Sequence, residues 1–271
     1  MFLITSLKNP RVKDAVRLRD RRHREHQGRI LIDGARELRR ALGAGVRVVE
    51  IFVCGPLCQS EEAQRLLEVL PASGCEVLHV SESVFERLAF GQRAEGVLGV
   101  AEVPRPMLES LMPRGDSDRT APLVAVLEGV EKPGNVGAVL RSADAAGVSA
   151  VIVADPRTDL YNPNAIRASL GTIFTMPVCE APSGEVLAWL RQRQFTILAA
   201  RVDGLVPYTE IDYRGATAVV LGSEAAGLSA VWAGNDITAI GLPMLGVADS
   251  LNVSVTAAVL FYEALRQRGS I

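Results

Sequence analysis

Short apolar runs alternate with helix-like stretches through the second half of this 271-residue chain. The apolar runs are 123–127, 150–154, 195–200, 216–221 and 237–240, and the helix-like stretches are 136–146, 184–193 and 251–267. Continuous Val-rich strands separated by helices are typical of a parallel sheet that is covered on both faces. Such sheets bind ligands at the carboxyl ends of their strands, so we expect a site after Leu127, Leu221 and Ile240.

The first hundred residues also alternate apolar runs with helix-like stretches, which predicts a smaller α/β sandwich. The apolar runs are 29–32, 46–53, 75–80 and 97–103, and the helix-like stretches are 34–43, 60–70 and 81–89. The next stretch is rich in Pro, Gly and charge and is the predicted linker. We therefore expect an N-terminal domain over 1–103, a linker over 104–120 and a C-terminal domain over 121–271.

Positive charge is concentrated near the N-terminus. Residues 1–40 hold twelve Lys or Arg and five Asp or Glu, a net charge of +7, whereas the whole chain carries −2. Asn9-Pro10 predicts a helix start, with Asn9 as the N-cap. The basic residues form either a solvated helix face or an arm that binds a polyanion. The arginines that we consider for such binding are Arg17, Arg21, Arg22 and Arg24.

Composition argues against several classes of protein. The chain is 48% hydrophobic and 22% charged, as in an ordinary globular protein, and no apolar run approaches the roughly 18 residues of a membrane span. Residues 1–6 lack the charged and apolar regions of a signal peptide. The four cysteines contain no CxxC pair and the three histidines no HExxH, so we expect no metal site and a reducing, cytoplasmic setting.

The loop after Leu127 begins like a phosphate-binding loop but lacks the residues that such a loop needs. Gly129 and Gly134 have the spacing of a P-loop, yet Asn135-Val136 stands where Lys and Ser or Thr are required. This excludes a nucleoside triphosphatase. The dinucleotide fingerprint also fails, because Gly43-Ala44-Gly45 is not followed by its third glycine.

What remains is a turn that delivers Asn135 to the start of a helix, which Gly147 ends. Arg141 lies six residues further on, so both side chains could line one edge of a cleft. The alternative for Arg141 is a surface pair with Asp144. Glu224 follows the strand that ends at Leu221 and is either a turn acid or a group that orients a ligand.

The last segment holds Leu242-Pro243-Met244 and then Ser250-Leu251-Asn252-Val253-Ser254, before a long helix. Ser250 is the predicted N-cap of this helix. From Leu251 the helical spacing of four apolar residues predicts its amphipathic face, which consists of Val255, Val259, Tyr262 and Leu265. A loop of small residues that leads into a helix can hold a ligand by its backbone.

In this order, the three segments resemble the SpoU (TrmH-like) family of S-adenosylmethionine-dependent RNA 2′-O-ribose methyltransferases. The matching stretches are NVGAVLRSADAAG (135–147), VLGSEAAGLS (220–229) and IGLPMLGVADSLNVSVTAAVLFYEALRQR (240–268). The stretch from Asn164 to Gly171, which contains Arg167 and Ser169, also looks like the family. The first block resembles the small substrate-binding domain of many members that act on ribosomal RNA.

The resemblance implies a knotted, SPOUT-type parallel-sheet domain that works as a homodimer, with the active site at the subunit interface. It also implies that S-adenosylmethionine is held mainly by main-chain groups of three loops. The residues implied in cofactor binding are Leu221, Gly222, Ile240, Leu242, Met244, Ser250 and Leu251.

Family position makes Arg141 the catalytic residue, proposed to assist deprotonation of the ribose 2′-hydroxyl. A guanidinium with a pKa above about 12 is a poor base, so Arg141 could instead bind a phosphate and position the ribose while phosphate or water takes the proton. Asn135 would orient Arg141 or the ribose, and Glu224 would anchor the same network. Ser250 and Asn252 would complete the pocket.

The resemblance also gives the basic arm a function, which is contact with RNA phosphates, and adds Arg167 as a second phosphate contact. The expected function is methyl transfer to a ribose 2′-hydroxyl of structured RNA, in particular large-subunit ribosomal RNA. Alternatives are the same reaction in antibiotic resistance or on tRNA, and an RNA-binding module without catalysis. A nicotinamide oxidoreductase is disfavoured by the missing fingerprint.

Overall fold

A computed structural model describes residues 2–90, 95–113 and 121–269 of the chain, which divides into two compact units. Unit 1 comprises the chain up to Pro104 together with Tyr161–Thr175, and unit 2 comprises Arg105–Leu160 and Met176–Ile271. Of the predicted linker 104–120, residues 114–120 lie outside the described residues. The two predicted boundaries, at 103/104 and 120/121, stay predictions.

The elements follow one another in chain order. The strands are β1 (Leu3–Ile4), β2 (Arg29–Asp33), β3 (Val48–Val53), β4 (Glu76–Val80), β5 (Val97–Glu102), β6 (Leu123–Glu128), β7 (Ala150–Ala154), β8 (Val178–Ala181), β9 (Thr196–Ala200), β10 (Val206–Pro207), β11 (Thr217–Leu221) and β12 (Ile237–Gly241). The helices are α1 (Pro10–Arg17), α2 (Arg21–Gln27), α3 (Ala35–Gly43), α4 (Glu61–Val69), α5 (Glu82–Leu88), α6 (Pro133–Ala145), α7 (Pro163–Ala168), α8 (Thr172–Thr175), α9 (Ser183–Gln192) and α10 (Val253–Gln267). Within the described ranges, no helix is long and apolar enough to cross a membrane.

Unit 1 contains a mixed sheet in the order β1-β4-β3-β5-β2. Strands β1, β3 and β4 pair in parallel, and β5 runs antiparallel to both β2 and β3. Helix α1 begins as predicted, because the side chain of Asn9 accepts a hydrogen bond from the Arg11 amide at 2.9 Å and Pro10 occupies the first turn. Val12, Ala15 and Leu18 pack into the core of this unit.

Unit 2 contains a seven-stranded sheet in the order β10-β12-β9-β11-β6-β7-β8, and all of its strand pairs are parallel. The five predicted strands occupy its middle. The two edge strands β8 and β10 were not predicted, because β8 has only four residues and β10 only two. β10 also ends at Pro207, a residue that sheets accept at their edges.

The family-like stretch from Asn164 to Gly171 lies in unit 1, although it follows unit 2 strands in sequence. It forms α7, which Asn162 caps through a hydrogen bond from the Asn164 amide, and a tight turn at Gly171 with φ of +81°. Arg40 on α3 donates to the carbonyl of Leu170 at 2.6 Å. This segment therefore belongs to the packing of unit 1 and was not predicted as helical.

The prediction that Ser250 caps the last helix is wrong, because Asn252 is the N-cap. The Asn252 Oδ1 atom accepts hydrogen bonds from the Ser254 amide at 2.9 Å and from the Ser254 hydroxyl at 2.7 Å. A cap side chain must reach an amide two or three positions ahead, and Ser250 is two residues too early for a helix that begins at Val253.

The predicted inner face of α10 is also wrong. The buried residues are Val253, Ala257, Leu260, Phe261 and Ala264, whereas Val255 is 48% and Tyr262 46% exposed. Helix α10 is apolar on more than one side, so the helical spacing fits two faces equally well. The face that contains Leu260 and Phe261 is the buried one, and α10 packs against α6.

Candidate active site

The loops after β6, β9, β11 and β12 begin at one edge of the unit 2 sheet, because these strands are parallel neighbours. Loops after three of them, β9, β11 and β12, surround a cavity of about 530 Å³. This volume lies within the range of small-molecule sites. The position is also the one expected for an open α/β sheet, where ligands bind beyond the carboxyl ends of the strands.

Six of the seven residues predicted to bind a cofactor line this cavity. They are Leu221, Gly222, Leu242, Met244, Ser250 and Leu251. The seventh, Ile240, is not among the lining residues: its side chain is fully buried, and its carbonyl accepts a hydrogen bond from the Arg201 amide at 2.9 Å. The structure therefore brings most of this set together and uses Ile240 to anchor a neighbouring loop.

The segment Arg201–Asp203 also lines the cavity and was missed from the sequence. It follows β9, a strand that the sequence does predict, so the rule applied to the other strand ends could have found it. The Arg201 guanidinium donates two hydrogen bonds to the Asp203 carboxylate, at 2.8 and 3.0 Å. This contact lowers the pKa of Asp203 below its usual range. With Glu224 and Asp249, the cavity wall holds three carboxylates and one guanidinium.

The loop after β11 is closed on itself and comes very near its own backbone. Ser223 and Gly227 exchange backbone hydrogen bonds of 3.2 and 3.0 Å, and the Ser223 hydroxyl accepts from the Ala226 amide at 3.1 Å. A side chain at Gly222 would collide with the Gly227 backbone. A glycine is therefore required where this loop forms the cavity wall.

A chain of hydrogen bonds joins three predicted catalytic side chains from three different segments of unit 2. The side-chain Nδ2 of Asn135 donates to the Glu224 carboxylate, and the side-chain Nδ2 of Asn252 donates to Oδ1 of Asn135 at 3.3 Å. Asn252 also caps α10, so one side chain both starts the helix and joins this chain. The structure therefore places Asn135, Glu224 and Asn252 in contact across 117 residues of sequence.

The other two predicted catalytic residues are placed differently. Ser250 is exposed and lines the cavity, two residues before the cap of α10. Arg141 is exposed on α6 and is not among the residues that line the cavity. Among the described residues, no side-chain hydrogen bond or ion pair joins Arg141 to a neighbour, so the alternative of a surface pair with Asp144 is not what the structure contains. Its guanidinium is available to a ligand.

The predicted RNA-binding arginines fall into two groups. Arg17, Arg21 and Arg22 are exposed, and the first two pair with Asp14 and Glu25 at 3.1 and 2.7 Å. The prediction for Arg24 is corrected by the structure: this side chain is only 2% exposed and donates to the carbonyls of Leu18 and Arg19, both at 2.8 Å. A buried guanidinium that holds the turn between α1 and α2 cannot reach a phosphate.

Arg167 is half-buried in unit 1, where it donates to the carbonyl of Phe90 at 2.5 Å. The Phe90 amide donates to the carboxyl group of Asp33 at 2.6 Å. Asp33 is 8% exposed and has Glu37 and Glu95 as neighbours, and its burial raises its pKa to about 6. Arg167 therefore has internal partners, and its contact with RNA stays a prediction.

Two family models match this chain. The model of the SpoU rRNA Methylase family matches residues 122–262, and that of an MRM3-like substrate binding domain matches residues 9–99. Unit 2 thus carries the matched methylase segments, apart from Tyr161–Thr175, which packs in unit 1.

Similar proteins cover nearly the whole chain. A 23S rRNA (uridine(2479)-2′-O)-methyltransferase of Streptomyces viridochromogenes is 30% identical over 93% of this chain and 87% of its own length. A solved structure described as an RNA 2′-O ribose methyltransferase is 42% identical, with a TM-score of 0.84 over 98% of this chain and 99% of its own. An rRNA methyltransferase from Sinorhizobium meliloti, solved with bound AdoMet, is 28% identical, with a TM-score of 0.85 over 98% and 97% of the two chains.

Proposed function

The chain belongs to the SpoU rRNA methylase family, and on that basis we propose that it transfers a methyl group from S-adenosylmethionine to a ribose 2′-hydroxyl of large-subunit ribosomal RNA. The observation that carries this proposal is the cavity of about 530 Å³. Its lining includes six of the seven residues that the family resemblance implies, and it lies next to the Asn135–Glu224–Asn252 hydrogen bonds. The similar proteins that cover this chain almost fully support ribosomal RNA as the substrate.

The cavity has the mixed lining that S-adenosylmethionine requires. Leu221, Leu242 and Leu251 offer apolar surface to an adenine ring. The loop at Gly222 brings backbone groups to the cavity wall without an intervening side chain. The carboxylates of Asp203 and Asp249 and the guanidinium of Arg201 match the charged amino-acid end of the cofactor. S-adenosylmethionine supplies a methyl group that is already activated by its positively charged sulfur.

Because the methyl group is activated, the protein has mainly to align the ribose and to let its proton leave. We assign Arg141 to the RNA, where its guanidinium holds a phosphate beside the target ribose. The 2′-hydroxyl proton then passes to phosphate or water rather than to Arg141. Asn135, held by Glu224 and Asn252, orients the ribose, and Ser250 contributes a hydroxyl from the cavity wall.

The exposed arginines of α1 and α2, Arg17, Arg21 and Arg22, are proposed to contact RNA phosphates from unit 1. We also propose a homodimer. Val255 and Tyr262 leave an apolar face of α10 exposed, and Leu251 at the cavity rim is 40% exposed, as expected for a surface that a second copy covers. The knotted path of unit 2 is a prediction from the family, and the cytoplasm as the location is a prediction from the cysteine pattern.

The alternatives differ in the target or in the loss of catalysis. Antibiotic resistance would use the same reaction at a different nucleotide, and a tRNA enzyme would use it on a different RNA. The relatives that cover most of this chain are named for 23S rRNA, which favours ribosomal RNA over tRNA. An RNA-binding module without catalysis is disfavoured by the complete set of Asn135, Arg141, Glu224, Ser250 and Asn252.

One experiment tests the proposed function directly. The purified protein is incubated with labelled S-adenosylmethionine and large-subunit ribosomal RNA that lacks modifications, and the methylated ribose is mapped. Transfer of label to one ribose supports the proposal and identifies the nucleotide. Label on tRNA alone, or binding of RNA without transfer under conditions where the cofactor binds, would replace it with one of the alternatives.

A further inference from the structure

Glu128, the last residue of β6, is a buried carboxylate that no sequence motif marks. It is only 5% exposed. One of its oxygens, Oε1, accepts hydrogen bonds from the Ser183 hydroxyl at 2.8 Å and the Ser229 hydroxyl at 2.7 Å. The other, Oε2, accepts from the Ser229 backbone amide at 2.7 Å. These three donors are neutral, and they come from two other segments of unit 2.

Burial of a carboxylate is costly unless hydrogen bonds replace its water, and three short bonds do so here. These bonds do not join Glu128 to neighbouring positions of its own strand. They reach Ser183 at the start of α9 and Ser229 at the end of the loop after β11. The three short bonds therefore hold the carboxyl edge of the sheet in one arrangement.

Ser229 matters because of the loop that it ends. Residues 222–228 of that loop line the cavity, and the bridge between Ser223 and Gly227 makes them one unit. The loop continues from β11 at its start, is held at its tip by the bond from Asn135 to Glu224 and at its end by the bonds from Ser229 to Glu128, and packs Leu228 against the core of unit 2. Glu128 and Asn135 lie seven positions apart, so the β6–α6 connection holds the loop at two points.

We propose that Glu128 is a positioning residue for the cofactor cavity: its carboxylate fixes the end of the 222–229 loop, and so the wall against which S-adenosylmethionine binds. The inference rests on the proposed function for the identity of the ligand. Without these bonds the loop keeps its internal bridge but turns about its remaining attachments. Both the cavity wall and Glu224 then lose their fixed positions relative to Asn135.

Three variants of Glu128 and its partner test this role. Glu128→Leu has a similar volume and removes all three bonds, and we expect the released loop to raise the dissociation constant of S-adenosylmethionine about tenfold. Glu128→Gln keeps an acceptor for the Ser229 amide, so its affinity should lie between that of Glu128→Leu and the wild type. In Glu128→Leu, a further Ser229→Ala change should add little to the loss of affinity, because the bond between the Ser229 hydroxyl and Glu128 is already absent.

Glu131→Gln is the matched control, because Glu131 lies in the same connection but is exposed and pairs with Arg157. It should bind the cofactor like the wild type. Hydrogen exchange of the full-length protein separates positioning from simple loss of stability. In Glu128→Leu, amides of 222–229 should exchange faster, while those of strand residues 123–127 should stay protected.

Wild-type affinity in Glu128→Leu, or equal acceleration of exchange in both segments, would overturn the proposal. Affinity that is no better in Glu128→Gln than in Glu128→Leu would also count against it. The outcome is separate from that of the proposed function. If the wild-type protein did not bind S-adenosylmethionine, the proposed function would fail, whereas the exchange measurement would still report whether Glu128 fixes the loop.

Discussion

The side-chain Nδ2 atom of Asn252 lies 3.3 Å from the side-chain Oδ1 atom of Asn135, and the two residues are 117 positions apart. Asn252 starts α10 and Asn135 lies in the first turn of α6, the helix against which α10 packs. One hydrogen bond therefore joins the beginnings of two packed helices at the edge of the cavity. Asn135 is held from its other side by Glu224, so its amide has a fixed orientation.

Arg141→Ala should abolish methyl transfer and leave cofactor binding unchanged. Arg141 is exposed on α6 and is not among the residues that line the cavity, so we expect its loss to affect the proposed contact with RNA and not the cofactor. We expect the rate of transfer to fall by at least about a hundredfold, as for loss of a residue that aligns the reacting groups. Transfer of labelled methyl and calorimetric titration with S-adenosylmethionine measure the two effects.

Arg191→Ala is a suitable control for this variant. Arg191 is an exposed arginine of unit 2 that pairs with Asp236 at 2.7 Å and is not among the cavity-lining residues. Its substitution should leave both measurements at the wild-type level. Transfer at the wild-type rate by Arg141→Ala would remove Arg141 from the reaction.

Asn252→Ala and Ser250→Ala should separate the helix cap from the cavity wall. Asn252→Ala removes the cap of α10, and we expect it to lower the free energy of unfolding by about 1 kcal/mol. It also removes the contact with Asn135, so the turnover rate should fall. Ser250→Ala should leave stability unchanged and raise the dissociation constant of the cofactor, because Ser250 lines the cavity ahead of the cap.

Urea unfolding and calorimetric titration of both variants provide the measurements, and each variant serves as the control for the other. If Ser250→Ala destabilised the protein as much as Asn252→Ala, then the cap of α10 would include Ser250 after all. The assignment of Asn252 as the single cap would in that case be wrong.

Charge removal from α1 and α2 should weaken the salt dependence of RNA binding. A deletion of this segment is not informative, because Val12, Ala15 and Leu18 belong to the core of unit 1. The combined replacement of Arg17, Arg21 and Arg22 by glutamine removes three exposed positive charges and leaves the core residues in place. We expect the slope of log affinity against log salt to become shallower by about 2. Filter binding or fluorescence anisotropy at several salt concentrations provides the slope.

The control removes the same number of charges from unit 1 at sites with a different location. Arg39, Arg47 and Arg65 are exposed and pair with Glu62, Glu102 and Glu61, so their replacement by glutamine removes three charges together with three surface ion pairs. The slope should then stay near that of the wild type. Equal changes in the two triple variants would show that net charge, rather than α1 and α2, governs the binding.

The stability of unit 1 should depend on pH through Asp33. Its pKa is raised from 3.8 to about 6, so between these values the folded protein keeps a proton that the unfolded chain releases. Folding stability from this group therefore falls as the pH rises through this range, by about 3 kcal/mol. Asp33→Asn lacks this loss, so its stability relative to the wild type should be greater at pH 7 than at pH 4.

Urea unfolding at several pH values between 4 and 7 measures this difference. Arg167, Glu37 and Glu95 act on Asp33 and are present in both proteins, so the comparison isolates the carboxyl group of Asp33. Asp14→Asn is the control for removal of a carboxylate, because Asp14 is exposed and pairs with Arg17 rather than with this cluster. A constant difference between Asp33→Asn and the wild type over this range would contradict the prediction.

The sequence by itself was sufficient for the parallel sheet of unit 2 and for most of the cavity. Strand interiors such as Leu123–Leu127 are continuous apolar runs, a pattern that a doubly covered parallel strand produces locally. The residues that follow parallel strands must lie at one edge, so the strand positions predicted a site after Leu127, Leu221 and Ile240, and the family resemblance assigned Gly222 and Leu242 to it. The family resemblance supplied the ligand, which no periodicity could have indicated.

The tertiary structure decided which of several locally equivalent choices was used. Ser250 and Asn252 are both good capping residues, and only the start of α10 at Val253 selects Asn252. Helix α10 has two apolar faces, and only its packing against α6 decides that Phe261 is buried and Tyr262 is not. Arg22 and Arg24 lie two residues apart in the same basic helix, yet Arg22 is exposed and Arg24 is buried against the turn after α1.

Glu128 shows the limit of sequence reasoning most clearly. Its three hydrogen bonds come from Ser183 and Ser229, which lie 55 and 101 residues away in the chain. No local pattern identifies this carboxylate, because its hydrogen-bond donors come near it only when β6, β8 and β11 lie in one sheet. Local sequence determines elements because helical hydrogen bonds and the apolar pattern of helices and strands are local, whereas the partners of a buried charge are set by the whole fold.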